Sequence, residues 1–156
     1  MYYGNPLSKK MGVLGQYPQA TMIAKLQQEV HNFEVADPAT PVKPGFHLIV
    51  SVAQGSPGRN GLYRLRMTDS LIDYWCKLAE SKGYLIFLDV QVGKSTVQAE
   101  LQPLIPYLKR PYVHLALDPE FSMHHASEGY LPGKKVGVMD AAEINYAIKT
   151  LADIVK

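Results

Sequence analysis

Three segments of the chain are apolar on both faces of an extended strand: Phe46–Gln54 (FHLIVSVAQ), Tyr84–Gln91 (YLIFLDVQ) and Tyr112–Asp118 (YVHLALD). A strand wetted on one side alternates apolar with polar residues, and one covered on both sides does not. These runs therefore predict strands of a parallel sheet. The segments around them carry helical period. From Pro18, a good first-turn residue, Met22, Ile23, Leu26, Val30 and Phe33 form one apolar stripe. Thr68 is placed to cap a helix that buries Leu71, Ile72, Trp75, Leu78 and Ala79, and Gly83 stops it. Ser95 with Gln98 makes a capping-box pattern for a third helix, which Pro103 and Pro106 must shorten or bend. Asp140 with Glu143 repeats the pattern before Ile144, Ile148, Leu151 and Val155.

Strands alternating with helices imply right-handed crossovers and a parallel sheet. With a short first strand at Tyr2-Tyr3, residues 1–156 read as one α/β domain of parallel βα repeats. About four βα units make half of a TIM-like (β/α)8 barrel. A complete barrel takes about 250 residues and rarely fewer than about 200, whereas this chain has 156. The expectation is self-association or a missing C-terminal half.

Composition narrows the function. Sixteen Lys+Arg against fourteen Asp+Glu leave a net charge of +2. No basic run exceeds two residues, which argues against nucleic acid as a partner. No apolar run reaches the ~18–20 residues that span a bilayer, and the N-terminus lacks the pattern of a signal peptide. The lone Cys76 excludes an internal disulfide framework and reads as a small buried hydrophobe.

In parallel βα folds, functional groups gather at the carboxyl ends of the strands. Here those ends carry Gln54, then Asp89 and Gln91, then Asp118 and Glu120. Side chains two apart share a face. Leu85, Phe87, Asp89 and Gln91 therefore line one face of their strand. His114, Ala116, Asp118 and Glu120 line one face of the next, if extended geometry runs through Pro119. Three carboxylates and two amides would surround one mouth.

A partly buried, protonated carboxylic acid can donate a proton while an ionised one acts as base or nucleophile. Glycoside hydrolysis uses two carboxyl groups ~5–9.5 Å apart. Asp118, Glu120 and Asp89 are accordingly the catalytic candidates; Gln54, Gln91, His114, Arg64 and Tyr3 are the substrate-binding ones. No cofactor is required. A divalent cation held by Asp89, Asp118 and Glu120, with His114, is the less favoured reading. The plain alternative is that Asp118-Pro119 opens a turn and Asp89 caps a loop.

Other motifs are weaker. His124-His125 lacks the i, i+4 spacing of a helical metal pair. Gly93-Lys94-Ser95-Thr96 resembles the end of a phosphate-binding loop, but Leu88 stands where that motif needs glycine, and no GxGxxG occurs. Arg64 and Arg66, after the tight loop Ser56–Gly61, can clamp an anionic group or remain solvated. Tyr2, Tyr3, Tyr63 and Tyr130 offer faces for sugar stacking or ordinary boundary packing.

Several strings also resemble a family of uncharacterised bacterial proteins: Tyr3-Gly4-Asn5-Pro6, Met11-Gly12-Val13-Leu14-Gly15, Phe87–Gly93 (FLDVQVG), Val113–Phe121 (VHLALDPEF), Pro132-Gly133 and Asp140–Asn145. The resemblance covers nearly the whole chain, and VHLALDPEF is its most specific motif. It implies a TIM-barrel-like, glycosidase-like core in a protein often exported or lipid-anchored, hence extracytoplasmic. Members of that family carry an upstream export segment and continue past the point matching Lys156 into further strands, one with a His-Gln-Phe motif. By this likeness the chain corresponds to the N-terminal half of the barrel. The resemblance supplies no catalytic assignment. The leading expectation is a hydrolase acting on carbohydrate or cell-envelope polymer; the alternative is a non-catalytic, saccharide-binding or self-assembling surface or scaffold domain.

Overall fold

The computed structural model describes residues 1–124 and 130–156. In chain order the elements are β1 (Tyr2–Gly4), α1 (Val13–Gln16), α2 (Gln19–Ala36), β2 (Gly45–Ala53), β3 (Arg64–Arg66), α3 (Asp69–Lys82), β4 (Leu85–Val90), α4 (Val97–Leu101), α5 (Ile105–Leu108), β5 (Val113–Leu117) and α6 (Ala141–Ile154). Four strands run parallel in the order β1-β2-β4-β5, and β3 pairs antiparallel with β2 off this path. The parallel βα repeat expected from the apolar runs is therefore present. The sheet is open among the described residues: β1 and β5 each pair with one neighbour. The antiparallel β3 was not expected, since three residues (RLR) carry no usable periodicity.

The two faces of the sheet differ. Phe46, Leu48 and Val50 of β2 and Ile86, Leu88 and Val90 of β4 point to the helices and are sealed from solvent. They pack with Met22 and Leu26 of α2, Ile72, Trp75, Cys76 and Ala79 of α3, and Leu101, Leu104 and Leu108 around α4 and α5. Phe46 sets its ring edge-to-face against Trp75 (5.2 Å) and Tyr84 (5.5 Å). Burial pushes the Cys76 thiol up to about 11, so it stays a neutral packing group.

Helix ends follow local chemistry, with two displacements. Gly83 closes α3 in the left-handed conformation, φ 65°. Asp140 caps α6, its carboxylate accepting from the Glu143 amide at 2.8 Å. Thr68 occupies the N-cap position of α3, but its hydroxyl meets Ser70 and not a backbone amide. Thr96, and not Ser95, caps α4 by accepting from the Ala99 amide. The prolines act as expected: a 3-10 turn, Gln102–Leu104, separates α4 from α5.

The expected apolar stripes are only half used. In α2, Met22 and Leu26 are buried while Phe33 is 64% exposed. In α6, Ala147 is buried while Ile148, and Val155 just past the helix end, stand largely in solvent. No described layer covers those outer turns.

Two facing glycines place the start of the sheet. Gly4 and Gly12 bridge each other antiparallel. A Cβ on Gly4 would lie 2.3 Å from the Met11 carbonyl oxygen, and one on Gly12 2.3 Å from that of Tyr3. Only glycine permits that approach. The closed loop lets buried Asn5 donate through Nδ2 to the Ile49 carbonyl (3.3 Å), which ties β1 to β2.

Candidate functional site

The face of the sheet turned away from the helix core carries a ladder of rings. Tyr3, His47, Phe87 and His114 are register partners across β1, β2, β4 and β5. Their centroids are 5.0, 6.1 and 4.8 Å apart, the first pair edge-to-face and the other two stacked. The next layer toward the strand C-termini is Ile49, Asp89 and Ala116. Ile49 is sealed from solvent yet lies outside the helix-side core cluster, as expected of this opposite face. Beyond it the register slips between Ile49 and Ser51. This bulge turns the Ser51 hydroxyl to the Gln91 carbonyl and the Glu100 carboxylate on the helix-covered side.

Of the expected carboxylates, Asp118 and Glu120 lie near enough for their charges to act on Asp89, and the geometry of Glu120 departs from the expectation. Asp118 keeps extended backbone, but the chain then turns at Pro119 into a 3-10 turn, Pro119–Phe121. Glu120 therefore does not continue the alternation of β5. The proline fixes its own φ, and the Phe121 amide closes the turn on the Asp118 carbonyl. The charges of Asp118 and Glu120 still reach both Asp89 and Tyr3. Gln91 links two strand ends: its Nε2 donates to Asp118 Oδ2 at 3.0 Å, and its Oε1 accepts from the Ala53 amide at 3.0 Å. With its amide fixed by the backbone, Gln91 orients Asp118.

Asp89 has no exposed surface. Burial pushes its carboxyl up to about 7, helped by the Asp118 and Glu120 charges and only weakly opposed by the Val90 amide. Neither carboxyl oxygen has a well-aligned hydrogen bond among the described residues. His47 Nε2 lies 3.0 Å from Asp89 Oδ2, close but misdirected, and is itself without an aligned partner. Burial holds the His47 imidazole below its ordinary range, against the opposing pull of Asp118. Tyr3, at the rim, is pushed up to about 12 by burial and then by Asp89, Asp118 and Glu120, so it remains a neutral phenol. His114 Nε2 is buried and likewise lacks a partner among the described residues.

The remaining expected site residues lie apart or are otherwise engaged. Gln54 and Arg64 border a neighbouring cleft of about 650 Å³, with Arg59 and Asn60. Arg64 Nε donates to Glu100 at 2.8 Å and Arg66 Nε to the same carboxylate at 2.6 Å. Burial alone would raise Glu100; hydrogen bonds from Arg66, Ser95 and Arg64 overcome it and hold the group below the usual carboxylate range. The two arginines thus clamp an anion supplied by the chain itself.

Gly93-Lys94-Ser95 is a structural junction. The Lys94 amide donates to the Leu62 carbonyl, the Ser95 amide to Val92, and the Gly93 carbonyl accepts from Met123. At φ 61°, a Cβ on Gly93 would meet the Leu62 carbonyl oxygen at 2.6 Å. His124 faces Glu143 across 3.4 Å, and His125 falls outside the described residues. Among the described residues no three His, Cys, Asp or Glu side chains converge to hold a metal ion. No described helix is long and apolar enough to cross a membrane.

His47 is the group that the sequence reading passed over. It is the only titratable residue of β2, and two-residue alternation sets it on the face of Ile49, away from Phe46 and Leu48. That spacing was the available signal; a continuous apolar run hid it. No protein-family model, curated protein or solved structure matches the chain.

Proposed function

We propose that this chain carries the acid–base half of a hydrolase that acts on a carbohydrate or cell-envelope polymer. The observation that carries the reading is Asp89: a sealed carboxyl without an aligned hydrogen bond, raised to about 7, at the strand ends beside Asp118 and Glu120. A carboxyl titrating near neutrality beside other carboxylates is the pattern that separates acid from base. Asp118, oriented by Gln91, is the base that activates the attacking water at the sugar carbon, and Glu120 flanks it. As the glycosidic C–O bond breaks, the leaving oxygen takes a proton from the Asp89 side, and the water that adds to the carbon gives its proton to Asp118. Tyr3, 42% exposed at the rim, offers a ring face to a sugar. An extracytoplasmic location accompanies this reading and rests on the family resemblance alone.

Asp118→Asn is expected to lower hydrolysis by about 100-fold or more, read as reducing-sugar release from a panel of cell-wall and plant glycans. The melting temperature should stay level or rise, because clustered carboxylates repel. Wild-type turnover in that variant would remove Asp118 from the mechanism. A second reading, a self-assembling saccharide-binding domain, is favoured by the unpaired strand edges and the exposed apolar turns of α6.

A further inference from the structure

We propose that His47, backed by Asp89, is the residue through which protons enter and leave this mouth. Asp89 holds one edge of the imidazole, and the ring carries the proton to the substrate. The use made of the proton rests on the hydrolase reading; the pairing rests on geometry.

Four observations support it. Asp89 has no solvent-exposed surface, so it cannot itself touch a substrate. His47 Nε2 stands 3.0 Å from Asp89 Oδ2 and is sealed, while the side chain as a whole is 24% exposed. The ring therefore spans the distance from buried carboxyl to open face. Its plane is fixed by packing, with Tyr3 edge-on at 5.0 Å and Phe87 stacked at 6.1 Å. Finally, no lysine or arginine pairs with Asp89 among the described residues, leaving the His47 imidazole, within ion-pair distance but not aligned for a hydrogen bond, as the base nearest to it.

The groups that set the pair's electrostatics come from each neighbouring element. Tyr3 lies on β1, and His114 on β5 beyond the Phe87 ring. Asp118 and Glu120 follow β5, and their negative charges favour a proton on the pair. One proton is held in common: a carboxylic acid beside a neutral imidazole, or a carboxylate beside an imidazolium, has the same net charge. Its apparent titration belongs to the pair. In the reaction His47 gives an N–H proton to the leaving oxygen as the C–O bond breaks. The pair is left as carboxylate and neutral imidazole. The added water gives its proton to Asp118, from which, through solvent, the pair is reloaded.

The test follows the His47 ring nitrogens by NMR across pH in the full chain, in wild type, Asp89→Asn and, for the reciprocal carboxyl titration, His47→Gln. The His47 ring titration should move by about one pH unit or more between wild type and Asp89→Asn, and the Asp89 carboxyl should shift likewise in His47→Gln. Identical His47 titration in wild type and Asp89→Asn overturns the pairing. The reciprocal variant decides the matter should one of them fail to fold. Hydrolysis measured on the same samples separates the two claims. Coupled titration without hydrolysis of any glycan refutes the hydrolase reading and leaves the pair standing. Hydrolysis that Asp118→Asn abolishes, but whose pH profile His47→Gln leaves unmoved, refutes the role of His47 alone.

Discussion

Asp89 and Glu100 are both buried carboxyl side chains, yet their titrations are displaced in opposite directions. Partners make the difference. Glu100 receives two guanidinium groups and two serine hydroxyls. Asp89 receives two more carboxylates and a misaligned imidazole. The consequences for stability differ in sign. Glu100, held low, contributes stability that is present above the ordinary carboxylate range and is lost as pH falls through its folded value. Asp89, raised from 3.8 to about 7, carries no ionisation penalty while protonated. Its penalty grows as pH rises from 3.8 to about 7, reaching about 4 kcal/mol at most. Wild-type stability should therefore be greatest in mildly acidic solution. Asp89→Asn should be close to neutral at about pH 4 and more stable than wild type at about pH 8, by about 2–4 kcal/mol. Urea denaturation at the two pH values measures this directly. A difference that does not change with pH would mean that Asp89 is ionised throughout.

At the scale of elements, legibility tracked how local the determining physics is. The three long strands and the parallel order follow from runs apolar on both faces, a property contained in seven to nine consecutive residues. Gly83 and the two prolines act through their own backbone restrictions, so they too could be read directly. Choices that depend on a distant partner were not legible. Ser95 has the same capping chemistry as Thr96, but its hydroxyl is drawn to the buried Glu100, leaving the cap to its neighbour. Arg64 looked available for an anionic ligand, but a residue 36 positions away occupies it. His47 was concealed because its pairing with Asp89 exists only once β2 lies beside β4. The cap assignment has a simple check. Thr96→Ala should cost about 1 kcal/mol and Thr96→Ser almost nothing, by chemical denaturation. An unchanged Thr96→Ala variant would move the cap back to Ser95.

On the scale of the whole molecule, the helix-covered face is complete and the opposite face is not. Phe46, Leu48, Ile86 and Leu88 lose all contact with solvent, whereas Tyr3 at the rim of the ring ladder remains 42% exposed. Strand β5, and β1 apart from its bridge between Gly4 and Gly12, present unpaired edges among the described residues. Exposed edges and apolar turns favour association with further strands and helices. Ile148 of α6 is 59% exposed and Val155, at its C-terminal cap, 82%, and burying either fully would contribute about 1–2 kcal/mol. The chain on its own should thus form assemblies heavier than its 17.4 kDa, with a mass that rises with concentration in multi-angle light scattering. Ile148→Lys should shift that distribution toward the single chain without loss of helical or strand signal by circular dichroism, since the side chain already stands mostly in solvent. If wild type stays at single-chain mass at every concentration, the self-assembling reading fails. If it assembles and Ile148→Lys leaves the mass unchanged, the strand edges rather than α6 make the contact, and a proline within β5, which removes an edge amide, becomes the variant that dissociates it.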